Sequence, residues 1–217
     1  MRKNLRLLCC GVVWASLLVA TPVLAAPYVW ITTDGTAAQA HVGELIPLPK
    51  APPAPALSEP RAVLADGKAL PVRQAGDGYA ITLPAGTPPG DVRFTAKSLA
   101  SDGVPTIFEA KAGRAQTRPV NDLELVPTEP GGTTFRLYWK GRPVVVSQVN
   151  VQTSAGWQRT LYAAADGSVS LVSARFPDLF ASLYVLSVTV KVNGKVTLNG
   201  KTYDQVRHTA TLAFGVP

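Results

Sequence analysis

The chain has 217 residues, 47% of them apolar and 16% charged, a balance that supports packed cores and excludes disordered and collagen-like chains. Of its formal charge of +7, three positive charges stand at the very start. Arg2, Lys3 and Arg6 precede an apolar run without acidic residues, and setting them aside leaves 18 basic against 14 acidic side chains, with no basic cluster of the kind that grips nucleic acid.

Met1 to Arg6 reads as the basic head of an export signal, Leu7 to Ala20 as its apolar centre, and Val23-Leu24-Ala25 as the small-residue cleavage site. The apolar stretch is shorter than the roughly 20 residues of a membrane span, and Pro22 interrupts its end. Cleavage after Ala25 leaves 192 residues. Cys9 and Cys10, the only cysteines, depart with the leader. The mature chain then has no disulfide, thiolate metal site or cysteine nucleophile, which for an exported protein of this size suits a bacterial periplasm.

Short runs of Val, Ile, Thr, Tyr and Phe, cut by Gly, Pro and Asp-Gly pairs, predict strands throughout, and no stretch carries a sustained helical period. Tyr28 to Thr33 is a first strand, with Ala37 to Val42 returning beside it. Six prolines between Pro47 and Pro60 forbid a regular ladder there and predict an extended loop. Arg61 to Ala65, Leu70 to Gln74 and Tyr79 to Leu83 follow as a meander, then Asp91 to Ser98 and Val104 to Lys111. The polar stretch Gly113 to Pro119 reads as a boundary, giving an N-terminal β module over 26–118 and a C-terminal β-sandwich over 119–217.

The second module is expected to hold about seven strands. They begin with Leu123 to Pro127 and Thr133 to Trp139, turn at Lys140 to Pro143, and continue with Val144 to Gln152, Trp157 to Ala163 and Ser168 to Ser173. Leu183 to Val192 alternates with Tyr184, Leu186, Val188, Val190 and Val192 on the core face, and Val206 to Phe214 follows. The fold class is all-β, two sandwich modules, with Greek-key punctuation in the second.

Several strings carry a resemblance: Asp122 to Gly132 (DLELVPTEPGG), the Lys140-Gly141-Arg142-Pro143 turn, Ala165-Asp166-Gly167, and Tyr203 to Leu212 (YDQVRHTATL). Together they resemble a bacterial family of exported proteins of unknown function often labelled nickel-uptake or cobalt/nickel transport accessory proteins, best over Val120 to Phe214 and more weakly over Tyr28 to Glu44. The resemblance implies a periplasmic, non-enzymatic protein with an immunoglobulin-like or carboxypeptidase-regulatory-like C-terminal sandwich. It also implies partnership with an envelope protein or metal-uptake system, and nickel, cobalt or another transition metal as ligand. Some members carry a His just after the cleavage site, where this chain has Ala26-Pro27-Tyr28-Val29-Trp30.

His41 and His208 are the only histidines, so imidazole chemistry must use one of them. His208 alternates with the apolar set of its strand and reads as half-buried, bonded to a carbonyl, to Asp204 or to Tyr203. His41, near Glu44, reads as an edge residue. A metal site would have to gather His208, His41, Asp204 and Glu44. No Gly-x-Ser-x-Gly elbow or His-Glu-x-x-His helix is present, so we expect no turnover chemistry. Gly194 to Thr202 has the wrong glycine spacing for a phosphate loop, and Asn193-Gly194 and Asn199-Gly200 read as tight turns. Trp30, Trp139 and Trp157 with Tyr28, Tyr138, Tyr162, Tyr184 and Tyr203 either fill the sandwich or form a stacking platform for a glycan or a partner loop. The two functional readings are a transition-metal accessory and an envelope protein-protein or glycan interaction module without metal.

Overall fold

The computed structural model describes residues 28–46, 54–86, 91–100, 102–146, 148–174, 176 and 178–217. The expected leader through Ala25 and the stretch 47–53 of the proline-rich segment lie outside the described residues. Among the described residues there is no helix, and so none long and apolar enough to cross a membrane. The protein is an all-β, layered fold.

Three sheets carry the architecture. Sheet I joins β1 (Tyr28–Thr33), β2 (Ala37–Gly43), β6 (Gly78–Thr82) and β5 (Val72–Ala75) in that order. Sheet II has eight strands in the order β13 (Gln158–Tyr162), β12 (Gln148–Thr153), β15 (Ser182–Leu198), β16 (Lys201–Val216), β8 (Pro105–Ala112), β7 (Val92–Leu99), β3 (Ser58–Val63) and β4 (Ala69–Leu70). Sheet III sets β10 (Thr134–Trp139) between β9 (Leu123–Pro127) on one side and β11 (Arg142–Val144) and β14 (Ser168–Ser170) on the other. All pairings are antiparallel except β8 with β16, which run parallel from Thr106 opposite Arg207 to Ala112 opposite Ala213.

That parallel seam makes one sheet serve two cores. Successive side chains of a strand point to opposite faces, and β8 uses both. Phe108, Ala110 and Ala112 face sheet I and join Val29, Ile31, Ile81 and Phe94 in one apolar cluster. On β16, Ala210, Leu212 and Phe214 face sheet III and join Leu125, Phe135, Leu137 and Leu186 in the other. Sheets I and III therefore cover opposite faces of sheet II, offset along it. Gly78 is needed where sheet I is tightest, because a Cβ there would overlap the Ala40 carbonyl oxygen.

Most strands fall where alternation placed them, and the differences have local causes. The proline-rich segment was expected to stay a loop through Pro60, yet its end Ser58-Glu59-Pro60 opens β3. A register break between Ser58 and Arg61 and a positive φ of 52° at Glu59 let the proline sit in a bulge, where no ladder donor is required. Leu70 to Gln74 is two strands, because Pro71 ends β4 in sheet II and the chain passes to β5 in sheet I. Val144 to Gln152 likewise divides, with β11 in sheet III and β12 in sheet II. The Lys140 turn is only Lys140-Gly141, both at positive φ (48° and 76°), and Arg142 and Pro143 already belong to β11. Asn199-Gly200, at 50° and 76°, makes the expected two-residue hairpin turn. Asn193-Gly194 does not turn: it is an irregularity between Asn193 and Val196 inside the long strand β15.

The face of β7 and β8 opposite sheet I carries charge, and the crossover from β8 to β9 folds back over it. Arg93 donates from Nη2 to Glu124 Oε1 at 2.9 Å and from Nη1 to Gln116 Oε1 at 2.7 Å. Lys111 Nζ lies 3.7 Å from Glu124 and 3.8 Å from Asp91 and donates to the Gln116 carbonyl at 2.9 Å. Glu124 Oε2 accepts the backbone N–H groups of Val120 and Asn121, and Ala115 N–H donates to Asp91 Oδ1. Arg93 and Lys111 are fully buried, and Glu124 and Asp91 nearly so. Burial pushes the Lys111 ammonium down from the usual lysine value, with Asp91 and Glu124 opposing. The quartet is formally neutral, which makes its desolvation tolerable, and removing one member strands the others. Glu124→Ala, which leaves two buried cations facing one carboxylate, is expected to lower the unfolding free energy by about 3–5 kcal/mol, read from urea denaturation.

Candidate functional site

The four residues named for a metal do not come together. His208 on β16 faces sheet III, whereas His41 on β2 belongs to sheet I on the opposite side of the long sheet. His208 Nδ1 shares a 2.8 Å hydrogen bond with Glu109 Oε2, and Glu109 Oε1 accepts the Leu123 N–H at 2.9 Å. Trp139 meets His208 in a T-shaped contact, its ring centroid 4.7 Å from that of the imidazole. His208 is thus a buried link between β16, β8 and β9. Its partner is Glu109 from another strand, not the backbone carbonyl, Asp204 or Tyr203 expected from the sequence. Burial raises the Glu109 carboxyl above the ordinary glutamate range, against the pull of His208. Asp204 is exposed on the same strand, four residues and roughly 13 Å away at the usual strand rise.

His41 stacks on Trp30, centroids 4.1 Å apart and planes 15° from parallel, and its Nε2 lies 2.8 Å from Thr32 Oγ1. Glu44 follows the end of β2, its carboxyl pushed up by partial burial, and acts electrostatically on Tyr28, whose phenol burial raises to about 12. Among the described residues no three His, Cys, Asp or Glu side chains converge where they could hold a metal ion, so the transition-metal reading finds no donor set there.

What the fold does assemble is an aromatic rim at one end of the second sandwich. The β12–β13 turn is held by Thr153, whose N–H donates to the Trp157 carbonyl at 2.9 Å while its Oγ1 accepts the Trp157 N–H at 3.1 Å. Ser154 ties the turn to β15: its N–H donates to the Leu183 carbonyl, and its Oγ accepts the Leu183 N–H. Trp157 meets Phe176 and Phe180 edge-on, centroids 6.4 and 6.2 Å apart. Tyr184 Oη accepts the Phe180 N–H and donates to the Phe180 carbonyl, pinning that loop. Phe176 and Phe180 remain 44% and 42% exposed. The Arg159 guanidinium lies 4.5 Å from the Phe176 ring centroid, and its Nη1 is buried without a hydrogen-bond partner among the described residues.

Sequence reasoning weighed Trp157 for this role but passed over Phe176, Phe180 and Arg159. The signal was available: two phenylalanines in a Pro- and Ser-containing stretch with no strand alternation have no strand face on which to be buried. Trp139 and Trp157 both pack on the core with one side, and Tyr162, the most exposed tyrosine at 74%, lies on the opposite face from Trp157, Arg159 and Leu161.

No protein-family model and no curated protein matches the chain. Among solved structures it is similar to SGBP-B of the Bacteroides ovatus mixed-linkage glucan utilization locus, in complex with a mixed-linkage heptasaccharide, at 14% identity and a TM-score of 0.18. The match covers 82% of this chain and 42% of that one, so this chain spans less than half of that protein's length.

Burial holds the His41 pKa below the ordinary histidine value. The unfolded chain therefore takes up that proton first, and stability is lost as pH falls below about 6.5. His41→Gln is expected to lose less stability than the parent between pH 7.5 and pH 5.5, measured as urea midpoints.

Proposed function

We propose that the protein is a non-catalytic binding module of the bacterial envelope that captures a glycan on the Trp157–Phe176–Phe180 rim. The observation that carries this reading is a pair of phenylalanine rings, 44% and 42% exposed, set beside a partly buried Trp157 at the loop end of a sandwich. Loops at the ends are where such a fold recognises ligands. Rigid aromatic rings offer apolar faces at little entropic cost, and the C–H faces of a pyranose are of matching size and polarity. Arg159, stacked beside the rings, supplies donors for sugar oxygens. Large exposed aromatics gathered in one patch, unlike single ones scattered over a surface, mark interaction sites.

Electrophoresis through gels containing soluble polysaccharides of differing linkage tests the reading. Retardation by at least one polysaccharide is expected, with Trp157→Ala and Phe180→Ala each weakening it about tenfold, equivalent to about 1.4 kcal/mol, while Tyr162→Ala on the opposite face leaves it unchanged. Equal retardation of the folded Trp157→Ala chain, or none of the parent by any polysaccharide, would sink the proposal.

A further inference from the structure

A second feature lies between the sandwiches. Because β8 and β16 are parallel they finish at the same end, where Gly113 N–H donates to the Ala213 carbonyl at 2.8 Å and Gly131 N–H to the Arg114 carbonyl at 2.7 Å. Beside this junction is an open groove of about 550 Å³, walled by Ile31 to Thr33 of β1, by Leu183 and Phe214, and by Pro130 and Gly131. Volumes of this order suit small-molecule ligands.

Arg114 is the polar feature of the groove. Its guanidinium lies 4.0 Å from the centroid of the Phe214 ring, and Nη1 donates to the Gly132 carbonyl at 3.1 Å. Among the described residues, Arg114 shares with Arg159 the lack of an ion pair that the more deeply buried cations have. Arg93 and Lys111 each have carboxylates within 4.0 Å, as does the mostly covered Arg207. Arg114 has no ion pair among the described residues. An arginine keeps its charge at any ordinary pH, and burial disfavours that charge here. The groove thus presents a fixed, partly desolvated cation without counter-charge, beside apolar walls.

We propose that this groove binds a small amphiphile, its apolar body against Leu183 and Pro130 and its terminal carboxylate on Arg114. The flat guanidinium fork matches a carboxylate in two-point geometry, and its stacking on Phe214 fixes the plane in which the fork is offered. The site is separate from the aromatic rim and stands whether or not the rim binds glycan.

Calorimetric titration of the full chain with decanoate, decanol and decyl phosphate, below their micellar concentrations, tests the assignment. Saturable one-to-one binding of decanoate is expected, at least tenfold tighter than decanol and no weaker than decyl phosphate. Arg114→Gln should weaken decanoate at least tenfold without changing decanol, and Trp157→Ala should leave decanoate binding intact. Thr33→Trp, which narrows the mouth without touching the cation, should abolish binding and serves if Arg114→Gln does not fold. No binding of decanoate, equal binding by a folded Arg114→Gln or Thr33→Trp chain, or tighter binding of decanol or decyl phosphate would overturn it.

Discussion

Glu124 is the residue on which the junction of the two sandwiches depends. It is nearly fully buried, takes Arg93 through Nε and Nη2, holds Lys111 at 3.7 Å and accepts two backbone N–H groups from the turn before β9. The chain leaves sheet II at the end of β8 and must re-enter as the first strand of sheet III. The ionic network fixes where it does so, by binding the crossover segment to the strand face beneath it. An apolar face there would adhere equally well at many positions. Charges with fixed hydrogen-bond directions admit one, at the desolvation cost that buried ion pairs carry.

The same geometry decides what the histidines can do. With sheets I and III on opposite faces of the long sheet, His41 and His208 are separated by the sheet itself. Each is occupied locally, one by Trp30 and Thr32 and the other by Glu109 and Trp139. The aromatic rim stands at an end of the second sandwich. There a run of rings continues from the rim into the interior, with Phe180 5.6 Å from Tyr184 and Tyr184 stacked 5.5 Å from Phe214, the ring that also carries Arg114. Rim and groove therefore stand on one shared aromatic spine.

The strand content and most strand positions were legible in the sequence, because alternation and turn chemistry are local. Tyr28–Thr33, Ala37–Gly43 and the Asn199-Gly200 turn follow from a few neighbouring residues. What was not legible is non-local. Glu109 and Lys111 alternate with Phe108, Ala110 and Ala112 as in any strand with one wet face, and nothing near them tells that the crossover returns to bury the polar side. Pro71 does mark its break, since a residue without an N–H cannot continue a ladder, but the change of sheet there depends on which partners wait on either side. Of the site, Trp157 was readable as a stacking candidate. Phe176 and Phe180 were marked by the lack of alternation around them, but the hydrogen bonds by which Tyr184 holds Phe180 depend on tertiary packing that no local pattern shows.

The parallel seam also shapes how the protein reaches its native state. Strand β8 is made about a hundred residues before the strand that pairs with its free side, and closing so long a loop costs entropy before any contact repays it. Until β16 arrives, the first sandwich has an uncovered strand edge with unpaired N–H and C=O groups, the kind of edge that templates association between chains. A half-folded molecule of this design is sticky in a way that the finished one is not, so its yield in the cell depends on how quickly the late hairpin finds the early sheet, or on a chaperone that shields the edge meanwhile.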